Sequence, residues 1–276
     1  MTVRSFLLIP LAAVSLAMLA SPSLLAAEPV QEEMPTMREP IRRDDSFKLP
    51  AGQSIQVDNA YGSVYLRFGG YEDQLDIRST VQQPEGAATI AFQPATRDGR
   101  FEVVPKLPNG VALAQGQRID LVLYVPKGHP VTVRSVFGVI ESRGVKSDID
   151  LVADTGDIAV RGTDGTVQAR TSEGKIEVTF EGTARPGSIQ RLSSRTGNIA
   201  VIVSDTLDAE VRLSTSQQFA TDYSLNVEHL DGKEPNKIAT AVVGTPKSGK
   251  DKAQVVLETL VSDIRLVRRT VFVDPE

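Results

Sequence analysis

Gly244-Thr245-Pro246-Lys247-Ser248-Gly249-Lys250 has the G-x-x-x-x-G-K spacing with which a loop cradles phosphate. That chemistry needs a Ser or Thr hydroxyl after the lysine to hold a metal, and a helix whose N-terminus faces the anion. Asp251 stands where the hydroxyl should be, and Ala253, Val255 and Leu257 alternate as a strand does. The segment therefore reads as a basic hairpin loop, and no nucleotide or other cofactor is expected.

Carboxylates offer a second chemistry. Asp154, Asp157 and Glu173 flank two successive glycine turns. They could come within the ~5–10 Å that separates the two acids of a glycosidase. Asp also suits turns for its own hydrogen-bonding reasons, and the neighbouring slots Ser172, Lys175, Arg195 and Asn198 mix the signs of charge, so solvated turn residues are the expected reading. Histidine is confined to His129, in a turn before Pro130, and His229, in a polar stretch; cysteine is absent. Neither a metal site nor a nucleophile relay can be assembled from that set. Tyr61 and Phe137 each precede a glycine by one residue. Exposed side by side they would make a stacking platform for sugars; otherwise they plug a gap in an irregular turn.

All these residues hang on one recurring pattern. Counting from a glycine, apolar residues sit seven and five places before it, a small residue three before, and apolar residues two and four after. Ile149, Leu151, Ala153, Gly156, Ile158 and Val160 are one copy; Val167, Ala169, Thr171, Gly174, Ile176 and Val178 are the next. Gly138, Gly156 and Gly174 recur every 18 residues, the mark of a repeat architecture. A period of two puts the apolar slots on one face of two short strands, with Gly62, Gly138, Gly156, Gly174 and Gly197 at the bend between them, where positive φ is expected. A lone strand pair cannot bury that face, so copies must stack coil on coil. Ile140, Ile158, Ile176 and Ile199 should form one internal column and Val160, Val178 and Val201 another. A hexapeptide helix is excluded, because Lys146 falls six places after Ile140; a calcium-binding nonapeptide roll is excluded by the lack of its glycine and aspartate signature.

The pattern recurs upstream in Ile55, Val57, Asn59, Gly62, Val64 and Leu66, and degrades downstream. The copy at Leu192–Val201 has Gln190 in its first slot, the copy opening with Val211 and Leu213 loses its glycine to Gln218, and the last, Val255–Leu266, has Ser262 there. Between Gly62 and Val131, strand-like runs near Leu75–Val81, Thr89–Phe92, Phe101–Val104 and Ile119–Val125 predict more irregular β-structure in the N-terminal half. The fold class is all-β: a single-domain β-solenoid with coils of roughly 18 residues.

Composition bounds the rest. The formal charge is −5, and residues 1–27 carry only Arg4, so the remainder is more acidic still and no nucleic-acid partner is expected. Arg4, the apolar run Phe6–Leu19 and Leu25-Ala26-Ala27 before Glu28 read as a secretory signal over residues 1–27, cut after Ala27; an uncleaved anchor is the rival. Residues 28–45, rich in Pro and Glu, read as a flexible linker, residues 46–276 as the β-solenoid domain. No later stretch is long and apolar enough to span a bilayer as a helix.

Phe68-Gly69-Gly70-Tyr71-Glu72-Asp73-Gln74-Leu75-Asp76-Ile77, the strand ending Val125-Pro126-Lys127-Gly128, and the coil Thr155-Gly156-Asp157-Ile158-Ala159-Val160 resemble a family of bacterial envelope proteins known as putative adhesins. The resemblance implies a right-handed β-solenoid and carries no catalytic residues with it. The expected protein is a non-catalytic periplasmic or secreted module that binds or scaffolds an envelope protein or a surface glycan. The rivals are an extracytoplasmic polysaccharide-active enzyme and a regulatory partner in envelope-stress signalling.

Overall fold

Val, Ile and Leu at every second position favour extended backbone, because branched side chains pack well on a pleated surface. The computed structural model describes residues 35–71 and 73–269. The expected signal over residues 1–27, residues 28–34 of the expected linker, Glu72 of the resemblance stretch and the last seven positions lie outside the described residues. Each repeat is a two-stranded coil. In spatial order, coil A joins Ile55–Asn59 to Val64–Phe68, coil B Val131–Phe137 to Ile140–Arg143, coil C Ile149–Thr155 to Ile158–Arg161, and coil D Val167–Glu173 to Ile176–Phe180. Coil E joins Ile189–Ser194 to Ile199–Val203, coil F Ala253–Thr259 to Ile264–Arg268, and coil G Ala209–Thr215 to Phe219–Thr221. First strands pair in parallel within an 11-stranded front sheet, second strands within a 10-stranded back sheet, so the protein is a β-solenoid.

Register puts like over like. Ile140, Ile158, Ile176, Ile199 and Ile264 form one column of the back sheet, and Val160, Val178, Val201 and Leu266 another. All are 0% exposed. Leu151, Ala169, Leu192, Leu257 and Leu213 face them from the front sheet. The core is thus the narrow space between the sheets, filled by the slots that the sequence pattern marked.

Four features of the architecture differ from the sequence reading. The first strand begins at Ile41 and not at Ser46, because Ile41–Lys48 lies antiparallel on Gln74–Gln82, preceded by a single bridge from Met37 to Pro84. Backbone bonds and the Ser46 hydroxyl, which donates to Asp76 Oδ1 at 2.6 Å, hold this strand, so it leaves little apolar signal. Hydrogen bonds from Ser46 and from Gln74 keep the Asp76 carboxyl below the usual carboxylate range. Thr89–Phe92 is not a strand: Ile90 and Phe92 are buried as plugs, and only Ala91 makes a bridge, to Lys106. The strands Gln74–Gln82 and Arg118–Val125 do form, and they extend the back sheet beyond coil A.

The third difference is the order of the last coils. Coil F, last in sequence, inserts between E and G, with its first strand parallel to both. Lys237–Val243 then covers the far side of coil G, antiparallel to it. A repeat pattern identifies a segment as a coil but carries no address in the stack. Residues 244–252 are consequently a crossover past coil G and not a hairpin, since the strands at their ends pair with opposite sides of Ala209–Thr215. Gly249–Asp251 is a single 3-10 turn, and the Thr245 amide donates to Asp208 Oδ1 at 2.8 Å. There is no helix N-terminus here to receive a phosphate.

The fourth concerns the turn glycines. Gly138, Gly156 and Gly174 have φ of 103°, 150° and 148°, but Gly62 and Gly197 lie outside the positive-φ region. What all five share is closeness to a neighbouring backbone. A Cβ on Gly138 would come within 2.7–2.9 Å of Gly62 and Ser63, and one on Gly156, Gly174 or Gly197 would overlap the carbonyl of the glycine one coil earlier.

The small residue three before each glycine serves the same corner. Ser135 donates to Gly62 O at 3.4 Å, Thr171 to Gly156 O at 3.1 Å, Ser194 to Gly174 O at 2.9 Å, Thr259 to Gly197 O at 3.2 Å and Thr215 to Ser262 O at 2.6 Å. Buried hydroxyls thereby satisfy the carbonyls that the turns leave outside the strand ladders. Ala153, in coil C, interrupts this series. Ala153→Ser should supply the missing donor to Gly138 and stabilise the protein by about 1 kcal/mol, raising Tm by roughly 2–4 °C. A calorimetric scan showing no gain would mean that the hydroxyls are packing atoms only.

Candidate binding surface

Slots that alternate with the core point outward, and on the front sheet they form rows across the coils. Asp58, Arg134, Val152, Arg170, Ser193 and Glu258 are in register along one row. The next row, nearer the glycine corner, contains Val136, Asp154, Ser172 and Arg195. Valines in outward slots are unusual, because water faces them: Val136 is 47% exposed. Together with Pro105 and Tyr61 they floor a cavity of about 460 Å³, rimmed by Asp58, Arg134, Lys106 and Asp154. A second cavity of about 460 Å³ continues over Arg170, Ser172, Ser193, Arg195 and Glu258. Val152 and Asp154 line both, so the two join as a trough along the stacking direction. Asp58 Oδ2 accepts from Gln56 at 2.8 Å, while its Oδ1 is buried without a hydrogen-bond partner.

Of the residues marked in sequence, the trough takes Tyr61 and Asp154. Tyr61 is not freely exposed; it is half-buried against the core with one side on the cavity. Phe137 occupies the equivalent place in the next coil but is absent from the cavity lining, so no paired aromatic platform forms there. Asp157 has a structural use: its Oδ1 accepts the Lys175 amide at 2.9 Å, and Lys175 Nζ is 3.8 Å from Oδ2. Ser63, Asn198 and Asp263 hold the same slot and accept amides of the following coil, at Val139, Asp263 and Gln218, each at 3.1 Å. An acceptor one place after the glycine is thus a second ladder along the corner. Glu173 is exposed, and its backbone carbonyl, not its carboxylate, receives the Gly156 amide.

His129 follows the turn at Lys127–Gly128, as expected, but is buried at 1% exposure, its Nδ1 2.8 Å from Gln53 O and its Nε2 3.7 Å from Asp73 Oδ1, so it ties the segments at Gln53 and Asp73 to the start of coil B. His229 is exposed on the edge strand Asn226–His229. Among the described residues, no group of three or more His, Cys, Asp or Glu is placed to hold a metal ion, and no helix is long and apolar enough to cross a membrane.

Neither the family models nor the curated proteins include a match to this chain. Among solved structures, a "putative cell adhesion protein" from Clostridium sporogenes superposes with a TM-score of 0.51 at 12% identity, over 84% of this chain and 100% of its own. A "putative adhesin" from Bacteroides fragilis aligns with a TM-score of 0.42 at 11% identity, over 83% of this chain and 97% of its own. At such identities only the fold is shared, and the C. sporogenes protein shows this chain to have a β-solenoid body in common with a solved bacterial protein bearing an adhesion name.

Proposed function

We propose that this protein is a non-catalytic, adhesin-like module of the bacterial envelope, exported through the signal at residues 1–27, which binds an envelope protein or surface glycan with the outer face of its front sheet. The observation that carries this reading is the trough shared through Val152 and Asp154: an apolar floor with fixed charges of both signs on its rim, the usual make-up of a recognition site. The likeness to the C. sporogenes protein supports the same reading. The polysaccharide-active alternative draws on Asp154, which faces both cavities, but its expected companion Asp157 is engaged with the Lys175 amide.

The test combines capture and turnover. Crosslinking in intact cells should retain a partner with the wild type and lose at least ~10-fold of it with Val136→Asp, an outward position whose change leaves the core untouched. Capture unaffected by Val136→Asp would remove the trough from the reading. Release of products from a glycan panel, abolished by Asp154→Asn, would replace the module with an enzyme.

A further inference from the structure

Among the described residues the two sheets end on four edge strands, and three of them have only three or four residues: Ala95–Arg97, Phe219–Thr221 and Asn226–His229. Short edges are a common device against strand-to-strand association. Ile41–Lys48 breaks the rule, with 8 residues and one side unpaired. The Leu49 amide donates to Asp73 O at 2.6 Å, in the register that continues Lys48 opposite Gln74. Odd-numbered residues therefore direct their backbone groups at Gln74–Gln82. Arg42, Asp44, Ser46 and Lys48 direct theirs away from it, because N–H and C=O alternate sides along a strand.

Charged side chains guard an edge, and they do so against a second copy where like charges come to lie opposite one another. This edge reads Arg42-Arg43-Asp44-Asp45, with Arg43 and Asp44 side chains 51% and 78% exposed. Run antiparallel against itself, it lays the arginine half of one copy over the aspartate half of the other. With the two-fold axis at Arg43, the outward-bonding Arg42 and Asp44 stand opposite the Asp44 and Arg42 of the second copy; the two Arg43 side chains meet at the axis, each offset by the Asp45 carboxylate 3.1 Å from it on the same strand.

We propose that the Ile41–Asp45 part of Ile41–Lys48 pairs antiparallel with the same residues of a second copy of this chain, giving a two-fold dimer in which the two back sheets become continuous. The order of the charges selects a second copy over a foreign strand, and the outward row keeps both members of each ion pair clear of the core.

Light scattering and analytical ultracentrifugation across a concentration series test this on the purified protein. The wild type should dimerise, and added salt should weaken the dimer. Arg42→Asp and Asp44→Arg, both outward and exposed, should each raise the dimer Kd by about 30-fold, from two reversed cross-strand pairs, with only a small change of Tm in dilute solution, since the Asp44–Arg78 pair at 3.8 Å that the second variant removes is exposed. Mixing the two variants should restore association, because the first then presents acids at both outward positions and the second presents arginines at both. A wild type that stays monomeric, a dimer indifferent to both reversals, or a mixture that fails to associate would each overturn the proposal.

Discussion

Ile158→Asp is expected to leave no cooperative transition in a denaturant melt. Ile158 is 0% exposed and stacked between Ile140 and Ile176, in the middle of the longest internal column. The substitution removes a buried aliphatic group and places a carboxyl where, whether ionised or protonated, it finds only side-chain carbon from the coils on either side. Loss of the packing alone costs about 2–5 kcal/mol, and a buried unpaired acid adds several more. That exceeds the margin of an ordinary domain. Lys175→Asp, one residue before the same column in the next coil but exposed, should change stability by no more than about 0.5 kcal/mol. Comparable losses for the two variants would show that inward and outward faces have been exchanged.

Gly197→Ala should cost about 3 kcal/mol, measured as a shift in the midpoint of chemical denaturation at constant slope. The added methyl would overlap the Gly174 carbonyl, which is fixed by its place in the stack and by the Ser194 hydroxyl that donates to it. Backbone strain contributes nothing to this loss, because Gly197 is outside the left-handed region. Gly52→Ala isolates the opposite case: φ is 74° and no atom lies within 4 Å of the new methyl, so only the left-handed penalty of about 1 kcal/mol applies. If the two alanines cost the same, contact between coils is not what reserves the corner for glycine.

The central coils were legible because their signal is doubled. Alternation states which side chains are buried, and the 18-residue spacing states which ones meet, as the Ile140, Ile158, Ile176 and Ile199 column bears out. Where one signal is missing, the reading fades. Ile41–Lys48 is held by backbone bonds on an exposed surface, which composition does not record. Coil F is patterned like any other, but its neighbours are fixed by the path of residues 204–252, and nothing in its own slots names them. The trough left a trace that alternation alone could have exposed: Val136 and Val152 are apolar in slots that face water. The aromatic and acidic residues beside the glycines are the more conspicuous chemistry, yet only Tyr61 and Asp154 of them reach the trough, whereas Asp157 belongs to the scaffold.

The insertion of coil F separates the order of synthesis from the order of assembly. Coils B to E can wind progressively as the chain emerges, each new turn closing on the one just made. Residues 209–221 have no such option, since their seat on coil E is held for a segment that begins only at Ala253. Until that segment arrives, the growing end either docks one place too early or waits unpaired. Closure of the stack therefore has to wait until residues 253–268 have been delivered.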